Sequence, residues 1–295
     1  MVMIRVTQNM VTNRSLTSLQ AGLDRLAQTQ EKLSTGKNLN RPSDSPTDAT
    51  TSMKIRVQLA ETQQHVRNAQ NGLGWLDVTD STLSGMADNL RRVSELALQG
   101  ANASITGSTS TALATEVAQI REGLLAQANT TYLDRPIFGG VTAGTQAFDA
   151  SGAYVGADAP VQRSVADGVK VRIDVSGTTV VGPNGDNLFD DLAALESALR
   201  LGDKAGIQAG IAAVTERQRA VSDAQAAVGA SYNRADAAER KGQDALVTLR
   251  SALSEVEDTD LPKAMVDLQM HEVAYQAALA STARVMQPSL VDFLR

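Results

Sequence analysis

The chain has 295 residues, of which 42% are hydrophobic and 3% aromatic, with no cysteine and a formal net charge of -6 at pH 7. The missing cysteine excludes disulfides, thiolate metal sites and cysteine nucleophiles, and the acidic balance gives no electrostatic basis for binding nucleic acid or an anionic membrane. So low an aromatic content is lean for an enzyme pocket and suits helix packing through Ala and Leu, while the length allows one to three domains.

Residues Met1 to Val11 mix Arg5, Gln8 and Asn9 among apolar side chains, which is not the pattern of a cleavable secretory signal. No later stretch is long and apolar enough to span a bilayer, so no membrane insertion is expected. A heptad seam then runs through Leu16, Leu19, Leu23, Leu26, Gln30 and Leu33 and stops at Ser34-Thr35-Gly36, where Gly36 is placed to take the left-handed conformation that ends a helix. Lys37 to Pro46 is irregular by its Asn, Pro, Ser and Asp content, and a new helix is expected from near Ser45 or Thr47. Met53, Leu59, Val66, Leu73, Leu76, Leu83, Leu90 and Val93 carry that helix to about Gln99, with Gly72 and Gly74 expected to bend or break it. A loop is expected over Ala101 to Thr111, and Leu113, Val117, Ile120 and Leu124 restore helix up to about Thr131.

Between Pro136 and Pro183 glycine is dense and alternation replaces the heptad. Val169, Val171, Ile173 and Val175 face one way and Lys170, Arg172 and Asp174 the other, as in a half-buried strand; Ser176-Gly177 suits a turn into a further strand over Thr178 to Val181. Leu188, Leu192, Leu195 and Leu199 bring helix back. From Ile207 to Val256 an apolar 3.5-residue seam predicts one long coiled-coil helix of roughly 75 Å. It weakens at Ala235, Glu239 and Gly242, read as a looser stretch of the same bundle, with a bend at Gly242 as the alternative. Asp258, Thr259, Asp260 and Pro262 mark a stop and restart. The closing helix carries Leu261, Met265, Leu268, Glu272, Tyr275, Leu279, Thr282 and Met286.

No constellation for chemistry stands out. His65 and His271 lack ligand spacing; Gly36-Lys37 is not a phosphate loop, since position 31 is Glu and a helix precedes it. Asp190-Asp191 read as first-turn carboxylates, Glu255, Glu257 and Asp258 as exposed surface charge, and Trp75 as bundle packing. No cofactor or metal is expected.

Several stretches together resemble the flagellin superfamily of bacterial axial proteins. They are Leu33-Ser34-Thr35-Gly36 with Asn40-Arg41-Pro42-Ser43-Asp44-Ser45-Pro46, and, near the other end, Glu255-Val256-Glu257-Asp258-Thr259-Asp260 with the closing amphipathic helix. Within the superfamily, Ile4-Arg5-Val6-Thr7-Gln8-Asn9-Met10, Tyr132 to Gly140 and the ending Leu290-Val291-Asp292-Phe293-Leu294 are more similar to hook-associated members of the hook-filament junction than to filament flagellins. Met1-Val2 ahead of Met3 departs from the pattern and leaves open which methionine is the natural start.

The resemblance implies a non-enzymatic extracellular axial subunit, exported through the flagellar type III apparatus with the help of an export chaperone. Its partners would be copies of itself, a hook-associated protein on the hook side and flagellin on the filament side, and its terminal helices would order on assembly. The expected fold is mainly α, a long antiparallel helical bundle or coiled coil with a small β-rich insertion. The expected parts are 1–45 with 258–295 as assembly helices, 46–136 with 184–257 as the bundle, and 137–183 as the insertion. The residues expected to carry subunit assembly are Leu16, Leu19, Leu23, Leu26, Leu33, Met265, Leu268, Tyr275, Leu279 and Met286. The other readings are a short flagellin, a coiled-coil module outside flagella and, weakest, an enzyme on a helical scaffold.

Overall fold

The computed structural model describes residues 2–102 and 107–286. In order the elements are α1 (Val2–Thr35), α2 (Pro46–Asn102), α3 (Gly107–Ala128), β1 (Thr131–Tyr132), β2 (Arg135–Pro136), β3 (Gln162–Ala166), β4 (Val169–Arg172), α4 (Gly177–Val181), α5 (Leu188–Leu201), α6 (Lys204–Glu257) and α7 (Leu261–Met286). The chain is thus mainly helical with two small antiparallel sheets, as the seams and the alternating stretch require. Of the expected loop at 101–111, Ala101 and Asn102 continue α2 and Gly107 to Thr111 already belong to α3, so the described part is helix and not loop; residues 103–106 and the ending Leu290 to Leu294 lie outside the described residues.

Local chemistry sets the boundaries. Gly36 ends α1 at φ 69°, its N–H donating to Lys32 O. Pro46 opens α2 at a position whose N–H needs no partner, behind Ser45, whose Oγ accepts from Asp48 N. Asn187 caps α5 by accepting from Phe189 N and Asp190 N, Asp190 and Asp191 occupy its positive first turn, and Gly202 closes it in the left-handed region. Asp260 accepts from Lys263 N and caps α7, with Pro262 in the first turn.

The chain divides into two compact units, residues 1–60 with 247–295 and residues 61–246. The second holds the main core: Trp75, Leu76, Leu83, Met86 and Leu90 of α2, Leu113, Val117 and Leu124 of α3, the Leu188/Leu192/Leu195/Leu199 stripe of α5, Val214, Val221 and Val228 of α6, and Ile137, Phe138, Phe148, Val171 and Ile173 of the β region.

Three local expectations need correction. First, Gly72 and Gly74 do not break α2. They leave room for the β region: a Cβ on Gly72 would lie 3.0 Å from Ile173 Cγ2, and one on Gly74 would lie 2.5 Å from the Tyr132 hydroxyl. Likewise α6 passes unbroken through Gly242, where Val66 of α2 fills the space a side chain would need. Second, the half-buried strand ends at Arg172, and Asp174 is buried rather than outward. Its Oδ1 accepts Val161 N at 2.8 Å, and the Arg172 guanidinium pairs with it at 3.0 Å. Third, Thr178 to Val181 is not a strand but part of the short helix α4, with Thr179 N and Val180 N turned back onto Ser176 O. Gly177 permits the turn, since a Cβ there would meet the Tyr154 and Phe148 rings.

Candidate assembly site

The first unit contains both chain ends. Helices α1 and α7 run antiparallel: Thr259 N donates to Gly36 O at one end of the pair, and farther along the Tyr275 ring lies against Gly22. Burial shows which residues form the contact. On α1 these are Ser15, Leu19, Gly22, Leu26, Thr29 and Leu33; on α7 they are Ala264, Leu268, His271, Tyr275, Ala278 and Thr282, both sets at alternating steps of four and three. This is coiled-coil packing in which a line of larger side chains is flanked by a line of mostly small ones, His271 excepted, allowing close approach.

The ten residues expected to carry assembly therefore separate. Leu19, Leu26 and Leu33 with Leu268 and Tyr275 are half-buried inside the α1/α7 pair. Leu16 and Leu23 are 55% and 46% exposed, and Met265 and Leu279 are 58% and 43% exposed. Met286 ends α7, and its side chain lies outside the described ones. The exposed residues stand one step round each helix from the contact line, on the side opposite the small residues. Because the helices are antiparallel, that side is the same edge of the pair for both, so Leu16, Leu23, Met265 and Leu279 share one edge, where Gln30 of α1 and Glu272 of α7 interrupt the apolar side chains.

Where the pair meets the ends of α2 and α6, a carboxylate that sequence reasoning placed on the surface is in fact buried. Glu257 is 3% exposed. It receives Lys37 Nζ at 2.7 Å, Arg56 Nε at 2.7 Å and Nη2 at 2.8 Å, and the Ser52 hydroxyl. Its backbone carbonyl accepts Asn38 N at 2.7 Å. Hydrogen bonding from Arg56 above all, then from Lys37 and Ser52, outweighs the opposing effect of burial and holds the Glu257 carboxyl down at about 2. The loop it grips is folded on itself, with Asp44 Oδ2 accepting Asn40 N and Arg41 N. A signal for this node was present. Glu257 follows Leu253 by four and Leu246 by eleven, in phase with the apolar seam, and Ala49, Ser52 and Arg56 share a face of α2.

The histidines have ordinary surroundings: His65 Nδ1 is 3.3 Å from Ser164 O, and His271 faces α1. Trp75 packs edge-on to Tyr132, ring centroids 5.8 Å apart.

The first unit is thus a pair of helices tied to the ends of α2 and α6 by a buried ionic node, with large apolar side chains exposed along one edge. The comparisons with known proteins name the family. The model of the bacterial flagellin N-terminal helical region matches residues 6–142 and that of the C-terminal helical region matches residues 211–294, so the chain belongs to the flagellin family. It is 26% identical to a flagellin of Halalkalibacterium halodurans over 94% of this chain and 96% of that one. It is 28% identical to flagellar hook-associated protein 3 of Escherichia coli over 56% of this chain and 50% of that one. The fold is shared with flagellar hook associated protein-3 of Legionella pneumophila at TM-score 0.62 and 14% identity, covering 69% of this chain and 98% of that one. The protein is a flagellar axial protein, a component of an extracellular bacterial appendage. Among the described residues no helix is long and apolar enough to cross a membrane.

Proposed function

We propose that this chain is the adaptor that joins hook to filament, assembling by helix-helix packing between a hook-associated protein and the first flagellin subunits after type III export. The observation that carries this reading is the stretch Tyr132 to Gly140, which resembles the junction members of the family and is structurally fixed here. Tyr132 covers Gly74 and Trp75, Ile137 and Phe138 are fully buried, and Gly140 at φ 62° passes so close to Ala157 O that no side chain fits. The apolar band of α1 and α7 supplies the packing face, and copies of the chain, its axial neighbours and an export chaperone are its partners.

A second reading, a short flagellin that builds the filament itself, is favoured by the near full-length match to a flagellin. Clean deletion of the gene separates the two. The adaptor reading expects cells that keep hooks, lose filaments and release intact flagellin monomers into the medium. Filaments built without this chain would overturn it, as would a cell with no other flagellin.

A further inference from the structure

Oxidant-sensitive side chains are distributed unevenly in this protein. There is no cysteine, and the lone tryptophan, Trp75, is 1% exposed. Methionine thioethers are therefore the groups a mild two-electron oxidant reaches first. Among the methionines with described side chains, Met86 in the second unit is 0% exposed, whereas Met10, Met53, Met265 and Met270, all in the first unit, are 51%, 60%, 58% and 58% exposed. Met265 also lies in the apolar band with Leu16, Leu23 and Leu279.

We propose that Met265 is an oxidation site through which peroxide blocks incorporation of the subunit while leaving its body folded. The inference rests on the reading of the band as a packing face. The sulfur lone pair attacks one oxygen of hydrogen peroxide, the O–O bond breaks, the protons collect on the departing oxygen and water leaves. Sulfur is oxidised by two electrons to the sulfoxide as the peroxide oxygen is reduced. The product places a polar, chiral S–O group in place of a thioether on a surface that is dehydrated on packing. Stripping water from a polar group of this kind weakens association by about tenfold. Met86 sits among Leu83 and Leu90 beyond the reach of the oxidant, so the core is spared.

The test has two parts. Purified full-length chain is treated with millimolar hydrogen peroxide and its peptides are weighed. Met265 is expected to gain one oxygen while Met86 does not, with an unchanged helical circular dichroism signal, and methionine sulfoxide reductase is expected to reverse the change. In cells deleted for the gene, the native chain, Met265→Leu or Met265→Gln is induced with or without peroxide, and the filaments that regrow on the bare hooks are counted. Met265→Gln should lose about tenfold in regrown filaments without oxidant, and Met265→Leu should give filaments in peroxide where the native chain does not. Normal regrowth with Met265→Gln, equal peroxide sensitivity of Met265→Leu and the native chain, or oxidation of Met86 as fast as Met265 would each overturn the proposal. A deletion strain that still builds filaments instead overturns the adaptor reading itself, and that outcome is scored separately.

Discussion

Replacing Glu257 by Gln tests whether a buried ionic node, rather than apolar area, holds the junction between the terminal helices and the rest of the first unit. The carboxyl titrates ordinarily near 4.5 and is held at about 2 here. That difference of about 2.5 corresponds to about 3 kcal/mol at 1.36 kcal/mol per pH unit. The side chain is 4% exposed, so little of this is lost to solvent screening; Arg56 and Lys37 are 59% and 43% exposed and rehydrate once their partner is neutral, which brings the expected loss to about 2 kcal/mol. The folded state resists protonation more than the unfolded one. The stabilisation is therefore complete above about pH 4.5 and drains away as pH falls from there toward about 2.

Amide exchange is the suitable assay because it reads local opening. The N–H groups of Asn38 and Thr259, which donate to Glu257 O and Gly36 O, should lose about 30-fold in protection at pH 7 in Glu257→Gln. Amides around Leu90 and Val214 should not change. The advantage of the native protein over the variant in resisting urea should shrink between pH 5 and pH 3. Unchanged protection at Asn38 and Thr259, or a difference between the two proteins that stays constant from pH 7 to pH 3, would refute the reasoning.

The exposed band and the internal seam should respond differently to charge. Leu23→Asp should leave the monomer's melting unchanged and abolish assembly, whereas Leu26→Asp should also separate α1 from α7, seen as lost helical dichroism. The helix glycines divide in the same way. Gly229→Ala, with nothing within 4 Å of the new methyl, should stabilise by about 0.5–1 kcal/mol in urea melts. Gly242→Ala, meeting Val66 Cγ2 at 2.6 Å, should gain nothing and lose stability instead. Asn187→Ala removes a buried cap that satisfies two N–H groups at the start of α5 and should cost about 1–2 kcal/mol, measured the same way.

Much of the fold was legible because helix seams and strand alternation are local signals. The stop at Gly36, the restart at Pro46, the cap at Gly202 and the break between Glu257 and Leu261 follow from residue chemistry within a turn or two. Part of what failed was non-local. Gly72 and Gly74 look like helix breakers in sequence because their partners, Ile173 and Tyr132, lie about 60 to 100 residues away along the chain. Glu257 looked exposed for the same reason, its donors being Lys37, Ser52 and Arg56 about 200 residues away, whereas Asp174 looked outward because the alternation in the sequence continues past Arg172, where the strand stops.

The assembly site shows the limit most clearly. A heptad written on one chain has two flanking lines beside its central one, and periodicity alone does not say which flank a partner covers. In α1 the line through Leu19, Leu26 and Leu33 lies between Ser15, Gly22 and Thr29 on one side and Leu16 and Leu23 on the other. Hydrophobicity alone would choose the leucines for the internal pair. The structure instead spends the small residues there, because Gly22 admits the Tyr275 ring and close approach buries the central line on both helices. The larger side chains are left outward, where they suit a partner arriving from outside the chain. A helix pair closed through its small residues leaves its large apolar side chains outward, and it is on these that the proposed packing of one subunit on the next rests.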